Sequence, residues 1–214
     1  MLTAMCDVMK EAYRRGWITT RDGNVSVRRG RDNRIYMTPG GVRKNVINVD
    51  MLVRMDIGDE VKFSSKMNLS ATGEWDMHYR ILKDAVTTKS VVHVHPTNII
   101  AAMHAGWDLH EMVKPFPEVF RYTRVGHNVP MIPPLSQELA EQTRIQLGIE
   151  NNVQQYDIVG QVSHGVAAVG ANPWDAFEHI ERVEHIAQIV LASGVRPDLL
   201  DADKKWWHGV RGTS

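Results

Sequence analysis

The stretch Ser90-Val91-Val92-His93-Val94-His95-Pro96 decides the fold and centres the functional interpretation. Its β-branched residues predict a buried strand, and Pro96 ends it. Side chains two residues apart on a strand point to the same face, so His93 and His95 lie side by side while Val94 faces the other way. Buried imidazoles need partners. The spacing suits two ligands of one metal ion, although two packed core histidines would give the same pattern.

Strands and helices alternate on both sides of this strand. Alternating residues predict strands at Asn24–Arg28 and Arg34–Thr38 with a turn over 29–33, a second pair between about Leu52 and Phe63 around Gly58, and two strand-like runs within Ile158–Val169. Helical spacing predicts helices from Leu2 to Gly16, from Glu74 to Ala85, through Ile99–Met103, from Ser136 to Gly148 and from Asn172 to Gly194. The pattern predicts one α/β domain over residues 1–195 in which helices cover a central sheet, followed by a tail, 196–214, that contains Trp206-Trp207.

Composition excludes several classes of protein. The 214 residues are 43% hydrophobic, and Lys+Arg and Asp+Glu number 25 each. Without a basic excess we expect no nucleic-acid partner. No segment approaches the roughly 20 apolar residues of a membrane span, and no basic and apolar leader opens the sequence, so we expect no membrane partner. The single cysteine, Cys6, suits a reducing compartment, and we predict a cytoplasmic protein.

A third histidine extends the metal hypothesis. His164 precedes Gly165 between two strand-like runs, so a turn there can carry its imidazole to the same point. Three histidines leave one zinc position open to water or substrate, as in catalytic sites, whereas structural sites are closed, usually by cysteines. The remaining histidines are interpreted as surface or packing residues: His78, His104, His110, His127, His179, His185 and His208.

Five segments, in order, resemble those of the class II aldolase/adducin family. Asp22-Gly23-Asn24-Val25-Ser26 resembles its Gly-Asn-x-Ser loop, and Met37-Thr38-Pro39-Gly40-Gly41 resembles its second loop. Leu69–His78 is similar to its Pro-Ser-Ser-Glu-x-x-x-His segment, and Val92–Pro96 to its His-x-His metal strand. Ser163-His164-Gly165-Val166 with the helix after Asn172 resembles its Asn-His-Gly-Val segment and closing helix.

This resemblance implies a fold and a chemistry. It implies a mostly antiparallel central sheet of nine-stranded type in a three-layer arrangement, and a homotetramer with active sites at subunit interfaces. It implies Zn²⁺ on His93, His95 and His164, although Mn²⁺ or Co²⁺ also suits imidazole ligands. It makes Glu74 the acid/base beside a metal-stabilised enediolate. By position alone, Glu74 is equally an acid in the first turn of a helix.

The resemblance also implies a phosphate site built from Gly-rich turns. The matching candidates are Gly23, Asn24, Ser26, Thr38, Gly40, Thr72 and Gly73, which could instead be ordinary turn residues. Two positions depart from the family. Gly73 stands where the family often has serine, and the segment 128–134 lacks the tyrosine that similar aldolases carry there; Tyr122 lies nearby but does not align without a gap.

The function implied is a zinc-dependent aldolase that cleaves or forms a C–C bond in a small keto-sugar phosphate. Glu74 argues against the related epimerases, which have aspartate at that position. A dehydratase or decarboxylase of a sugar phosphate or sugar acid on the same scaffold stays open. A non-catalytic adducin-like scaffold is disfavoured because such domains lack the metal ligands.

Overall fold

The computed structural model describes residues 1–29, 34–57 and 61–197. Most of the predicted 29–33 turn, the turn at Gly58, His208 and the Trp206-Trp207 part of the tail lie outside the described residues. Within the described ranges, no helix is long and apolar enough to cross a membrane.

One antiparallel sheet forms the centre of the domain. Its order is β4-β3-β2-β1-β5-β7-β6, and every pair of neighbouring strands is antiparallel. The strands are β1 Asn24–Arg28, β2 Arg34–Met37, β3 Val53–Asp56, β4 Lys62–Ser65, β5 Ser90–Val94, β6 Ile158–Gln161 and β7 Gly165–Gly170. The predicted α/β single-domain class with a mostly antiparallel sheet is therefore confirmed.

The described residues form seven strands, whereas the resemblance implied nine. Beyond β6, the described residues continue the sheet with two isolated parallel bridges, from Val125 to Ile158 and from Val129 to Gln161. Pro130 follows the second bridge directly. Proline has no backbone N–H to continue a ladder, so this edge segment stays bridged without becoming a regular strand.

Seven α-helices occur in the described residues. They are α1 Leu2–Arg14, α2 Trp75–Asp84, α3 Thr97–His104, α4 Leu109–Val113, α5 Pro117–Tyr122, α6 Gln137–Gln146 and α7 Pro173–Ser193, with 3₁₀ turns at Lys44–Val46 and Val49–Met51. The predicted caps are in place: Asn172 Oδ1 accepts from the Trp174 amide at 2.9 Å, and Gly194 ends α7 in the left-handed region at φ 70°. Sequence periodicity missed α4 and α5, which are too short to show an apolar stripe.

Helices cover both faces of the sheet, giving three layers. Along β5, Val92 and Val94 pack in the apolar cluster that contains buried residues of α1, α3 and α7. Val91 packs in the opposite cluster, with buried residues of α2 and α6. Because side chains alternate along a strand, His93 shares the face of Val91 and lies on the α2 side. The fold thus directs the predicted metal ligands towards the start of α2, where Glu74 lies.

Candidate metal centre and active site

The three predicted metal ligands converge. His93 Nε2 and His95 Nε2 are 3.0 Å apart, and the ring of His164 lies 4.9 Å from that of His93 and 5.2 Å from that of His95. One ligand atom from each of the three lies within 4.8 Å of the other two. Since Val94 pairs with Val166 across β5 and β7, the β6–β7 turn carries His164 to the end of β5.

The β6–β7 turn needs unusual backbone to bring His164 this close. Ser163 adopts a left-handed conformation at φ 59°. A Cβ at Gly165 would lie 2.6 Å from the Val94 carbonyl oxygen and 2.7 Å from His95 Cδ2. Any side chain at Gly165 would therefore collide with the strand and with a ligand ring, so the close approach requires glycine.

The imidazoles are prepared to bind a cation. His93 Nδ1 donates to the Val166 carbonyl at 2.9 Å, so its Nε2 carries the lone pair that faces His95. Burial lowers the pKa of His93 well below its ordinary value and also lowers the pKa of His95. The His164 imidazole lowers both pKa values further, and the His95 imidazole lowers that of His93. His164 Nδ1 is buried without a hydrogen-bond partner among the described residues. Three imidazole nitrogen donors with an open side fit a divalent ion such as zinc.

Glu74 lies at the N-cap position of α2, against this cluster. Its Oε2 accepts from Asn24 Nδ2 at 2.7 Å and lies 3.2 Å from His93 Nε2. Its Oε1 lies 3.6 Å from His164 Nε2 and is buried with no hydrogen-bond partner among the described residues. One oxygen is therefore fixed by an amide while the other is available to a reacting group.

A series of hydrogen bonds between side chains orients the Glu74 carboxylate. His78 is fully buried, contacts Ser26 Oγ through Nδ1 at 2.6 Å, and contacts Asn24 Oδ1 through Nε2. Because Asn24 Nδ2 donates to Glu74, its Oδ1 must accept, so His78 donates from Nε2 and accepts the Ser26 hydroxyl proton at Nδ1. Burial lowers the pKa of His78 to about 3, which keeps the ring neutral. Sequence analysis assigned His78 to the surface or to packing; its i,i+4 spacing from Glu74 is the signal that could have found it.

The structure divides the predicted phosphate residues into two groups. Ser26 and Asn24 are buried, and their polar atoms face His78 and Glu74. Thr38 is also buried, and its hydroxyl accepts from the Val25 amide at 3.2 Å. Gly23 packs so tightly that a Cβ would lie 3.1 Å from the His93 carbonyl oxygen. These four residues have internal structural contacts, and their phosphate role stays a prediction.

The other three lie on two adjoining turns. The Gly40 amide donates to Ser70 O at 3.1 Å, which joins the two turns. Thr72 Oγ1 accepts from the Glu74 amide at 3.4 Å. Gly73 is exposed and lines an open pocket that also reaches Glu74. The pocket is lined by Gly73, Glu74, Asp76, Met77, Leu135, Ser136, Leu139 and Ala140.

Lys44 is a buried cation that sequence analysis did not single out. Its side chain is 1% exposed, and Nζ donates to the carbonyl oxygens of Arg21 at 3.0 Å, Val42 at 3.3 Å and Pro39 at 3.5 Å. Burial lowers its pKa to about 8, partly opposed by the charge of Asp22. Lys44 therefore ties the turn before Gly23 to the turn that contains Thr38 and Gly40. A lysine between loops has no distinctive sequence signal.

The fold and the site together define an α/β protein that can hold a divalent ion beside a buried carboxylate. The family described as Class II Aldolase and Adducin N-terminal domain matches residues 3–191, and the chain belongs to this family. The predicted resemblance is thus confirmed.

Named relatives agree on the class of reaction. The chain is 22% identical to a methylthioribulose-1-phosphate dehydratase of Komagataella phaffii, over 87% of this chain and 80% of the relative. It is 24% identical to an L-fuculose phosphate aldolase of Methanocaldococcus jannaschii, over 86% of this chain and 92% of the relative. A sugar-phosphate aldolase of Thermotoga maritima superposes with a TM-score of 0.75 at 22% identity, covering 92% of this chain and 97% of that one, which supports the fold. Aldolases and dehydratases of this family are lyases.

Proposed function

We propose that this chain is a divalent-metal-dependent lyase of a small keto-sugar phosphate, with zinc as the metal and C–C bond cleavage or formation as the reaction. One observation carries the proposal. Glu74 Oε1 is buried, has no hydrogen-bond partner among the described residues, and lies beside three converging imidazoles. An unsatisfied buried carboxylate oxygen is costly unless a cation or a substrate group engages it.

His93, His95 and His164 would hold the metal. When bound, a divalent ion there polarises the carbonyl and adjacent hydroxyl of a keto-sugar. The chain's own contribution to this binding is orientation. His93 is fixed by the Val166 carbonyl, and Gly165 leaves the space that the rings need.

Glu74 would move the proton. In bond formation, a base removes a proton from the carbon beside the substrate carbonyl, and in cleavage the same proton returns to that carbon. Oε1 is the atom available for this transfer, because Oε2 already accepts from Asn24. Asn24 and His78 act as positioning residues, since their hydrogen bonds fix the plane of the carboxylate without touching the open side of the site.

Phosphate recognition belongs to the same proposal. The exposed turn at Gly73 lines the pocket at Glu74 and would supply backbone N–H groups to a phosphate. The Gly40 amide already donates to Ser70, so the turn at Gly40 would support the Gly73 turn. Thr72 lies in the Gly73 turn. Gly23, Asn24, Ser26 and Thr38 would support these turns from the interior.

A dehydratase is the second candidate. It is favoured by the dehydratase relative, which aligns with 87% of this chain, and by Met131. Met131 is 76% exposed in the segment where similar aldolases carry a tyrosine. A dehydratase needs the same first step, removal of a proton beside the carbonyl, followed by loss of hydroxide from the next carbon. A sugar-acid decarboxylase on this scaffold has no comparable support.

Product analysis decides between these reactions. Metal-loaded protein is incubated with dihydroxyacetone phosphate plus small aldehydes, and separately with methylthioribulose phosphate, and products are identified by mass spectrometry. We expect a new C–C bond in the first reaction. A product lighter by one water in the second reaction alone would establish the dehydratase. If the protein shows no turnover of either substrate and takes up no metal, the proposal is overturned in favour of a non-catalytic scaffold.

We also propose a homotetramer with active sites at subunit interfaces, in the cytoplasm. Exposed apolar side chains near the pocket and on α5 support the assembly: Phe120, Tyr122, Met131 and Leu135. Light scattering coupled to gel filtration tests it, and a monomer at micromolar concentration would contradict it. Cell fractionation tests the location, which the lone Cys6 supports.

A further inference from the structure

A second group of metal-type ligands lies at the edge of the sheet, away from the β5–β7 site. His110 and Glu111 belong to α4, and His127 follows Val125, which bridges to β6. One ligand atom from each of His110, Glu111 and His127 lies within 4.8 Å of the other two. The two imidazole rings are 4.3 Å apart. Sequence analysis had assigned both histidines to the surface or to packing.

Both imidazoles already have the outer partner that metal ligands use. His110 Nδ1 donates to the Val125 carbonyl at 2.8 Å, and His127 Nδ1 lies 3.1 Å from Asp108 Oδ1. A ring whose Nδ1–H is held by a carbonyl or carboxylate presents the lone pair of Nε2. Asp108 is itself held, since Oδ1 accepts from the Glu111 amide at 3.3 Å and Oδ2 from the Asn128 amide at 3.0 Å.

We propose that His110, His127 and Glu111 form a second divalent-metal site. Two imidazoles and one carboxylate suit zinc, nickel, cobalt or copper ions rather than magnesium or calcium. Three protein ligands leave further positions to water or to an external donor. The site should be weaker than the first, because the side chain of His127 is 52% exposed and its unliganded nitrogen can bind water at little cost.

One internal cation competes for the site. Lys114 Nζ lies 2.5 and 2.6 Å from the two oxygens of Glu111, so the lysine occupies the carboxylate when the metal is absent. Metal binding must displace this ammonium group. Removing the lysine should therefore strengthen metal binding, whereas a mere pair of surface histidines would be insensitive to Lys114.

Metal titration tests the proposal on the intact chain. Zn²⁺ is titrated calorimetrically into the wild type and into a His110→Ala/His127→Ala double variant, with His104→Ala as the exposed-histidine control. We expect a second, weaker equivalent in the wild type and the control, and its loss in the double variant. The titration in a His93→Ala background should keep this weaker equivalent, which separates it from the first site and from the proposed function.

Two further variants test the carboxylate. Glu111→Gln should weaken the second equivalent several-fold, and Lys114→Met should strengthen it several-fold. Far-ultraviolet circular dichroism of each variant checks that it is folded. The proposal is overturned if the wild type binds no second ion at millimolar Zn²⁺, if the double variant retains it, or if Lys114→Met leaves its affinity unchanged.

Discussion

The two histidine clusters found among the described residues use the same kind of side chain in different environments. His93 is fully buried at the end of a central strand, where its ring faces two partly buried imidazoles and the Glu74 carboxylate. His110 and His127 lie at the sheet edge, where water can satisfy their nitrogens. Buried polar atoms of the first cluster need a bound cation or substrate group as a partner, whereas water can replace a metal ion at the second cluster. We expect tight binding and chemistry at the first cluster and weak binding at the second.

The largest expected effect follows from breaking the buried cluster. His93→Ala removes one of three ligands, so zinc affinity at this site should fall by more than about 100-fold and turnover should disappear. Elemental analysis after dialysis measures the loss. His185→Ala, on the exposed face of α7, is the control and should keep its metal. Retained stoichiometric metal in His93→Ala would refute the ligand assignment.

Glu74→Gln separates chemistry from metal binding. The amide keeps the shape of the side chain but cannot accept a proton, so kcat should fall by about 10²–10⁴-fold while the metal stays bound. Steady-state kinetics and metal analysis on the same preparation give both quantities. Glu118→Gln, an exposed acid in the first turn of α5, is the matched control. Near-normal turnover in Glu74→Gln would mean that another group moves the proton.

His78 tests whether the buried hydrogen-bond chain acts through Glu74. His78→Phe removes the donor to Asn24, so kcat should fall by about 10-fold with KM and metal content little changed. Replacement by Asn, which keeps a donor, should restore part of the loss. In the Glu74→Gln background the same change should cost almost nothing, because residues acting through one group are not additive. An equal loss in both backgrounds would assign His78 to packing alone.

Lys44 affects stability rather than turnover. Its pKa is about 8 in the folded chain, against 10.5 when unperturbed. Between these pH values the unfolded chain binds more protons, so the free energy of unfolding rises with pH; below about pH 8 the cost of burying the charge is fully present. Relative to Lys44→Met, the wild type should gain at most about 3 kcal/mol from pH 7 to 11. Denaturant unfolding at several pH values measures this, and parallel pH profiles for the two proteins would contradict the burial argument.

Sequence patterns predicted the features that depend on neighbouring residues or on a regular spacing of side chains. The spacing of His93 and His95 gave their shared face, and Asn172 and Gly194 gave the bounds of α7. The position of His164 was predicted through a turn between two strands. The hydrogen bonds of Ser26 and Asn24 were not predicted, because their partner His78 lies more than 50 residues away in sequence. The apolar stripe that predicts α2 is the same whether or not His78 belongs to it. The role of Lys44 was not predicted either, because its three carbonyl partners are brought together by loop packing.

The central claim is that three converging imidazoles form one metal site, and the metal content of the purified, untagged protein tests it most directly. After dialysis against a weak chelator to empty the edge site, elemental mass spectrometry should find about one zinc, or another divalent transition metal, per subunit. The same measurement on His164→Ala should find almost none. A wild type that holds no metal even after incubation with zinc would contradict the claim, because the converging rings would then need another partner.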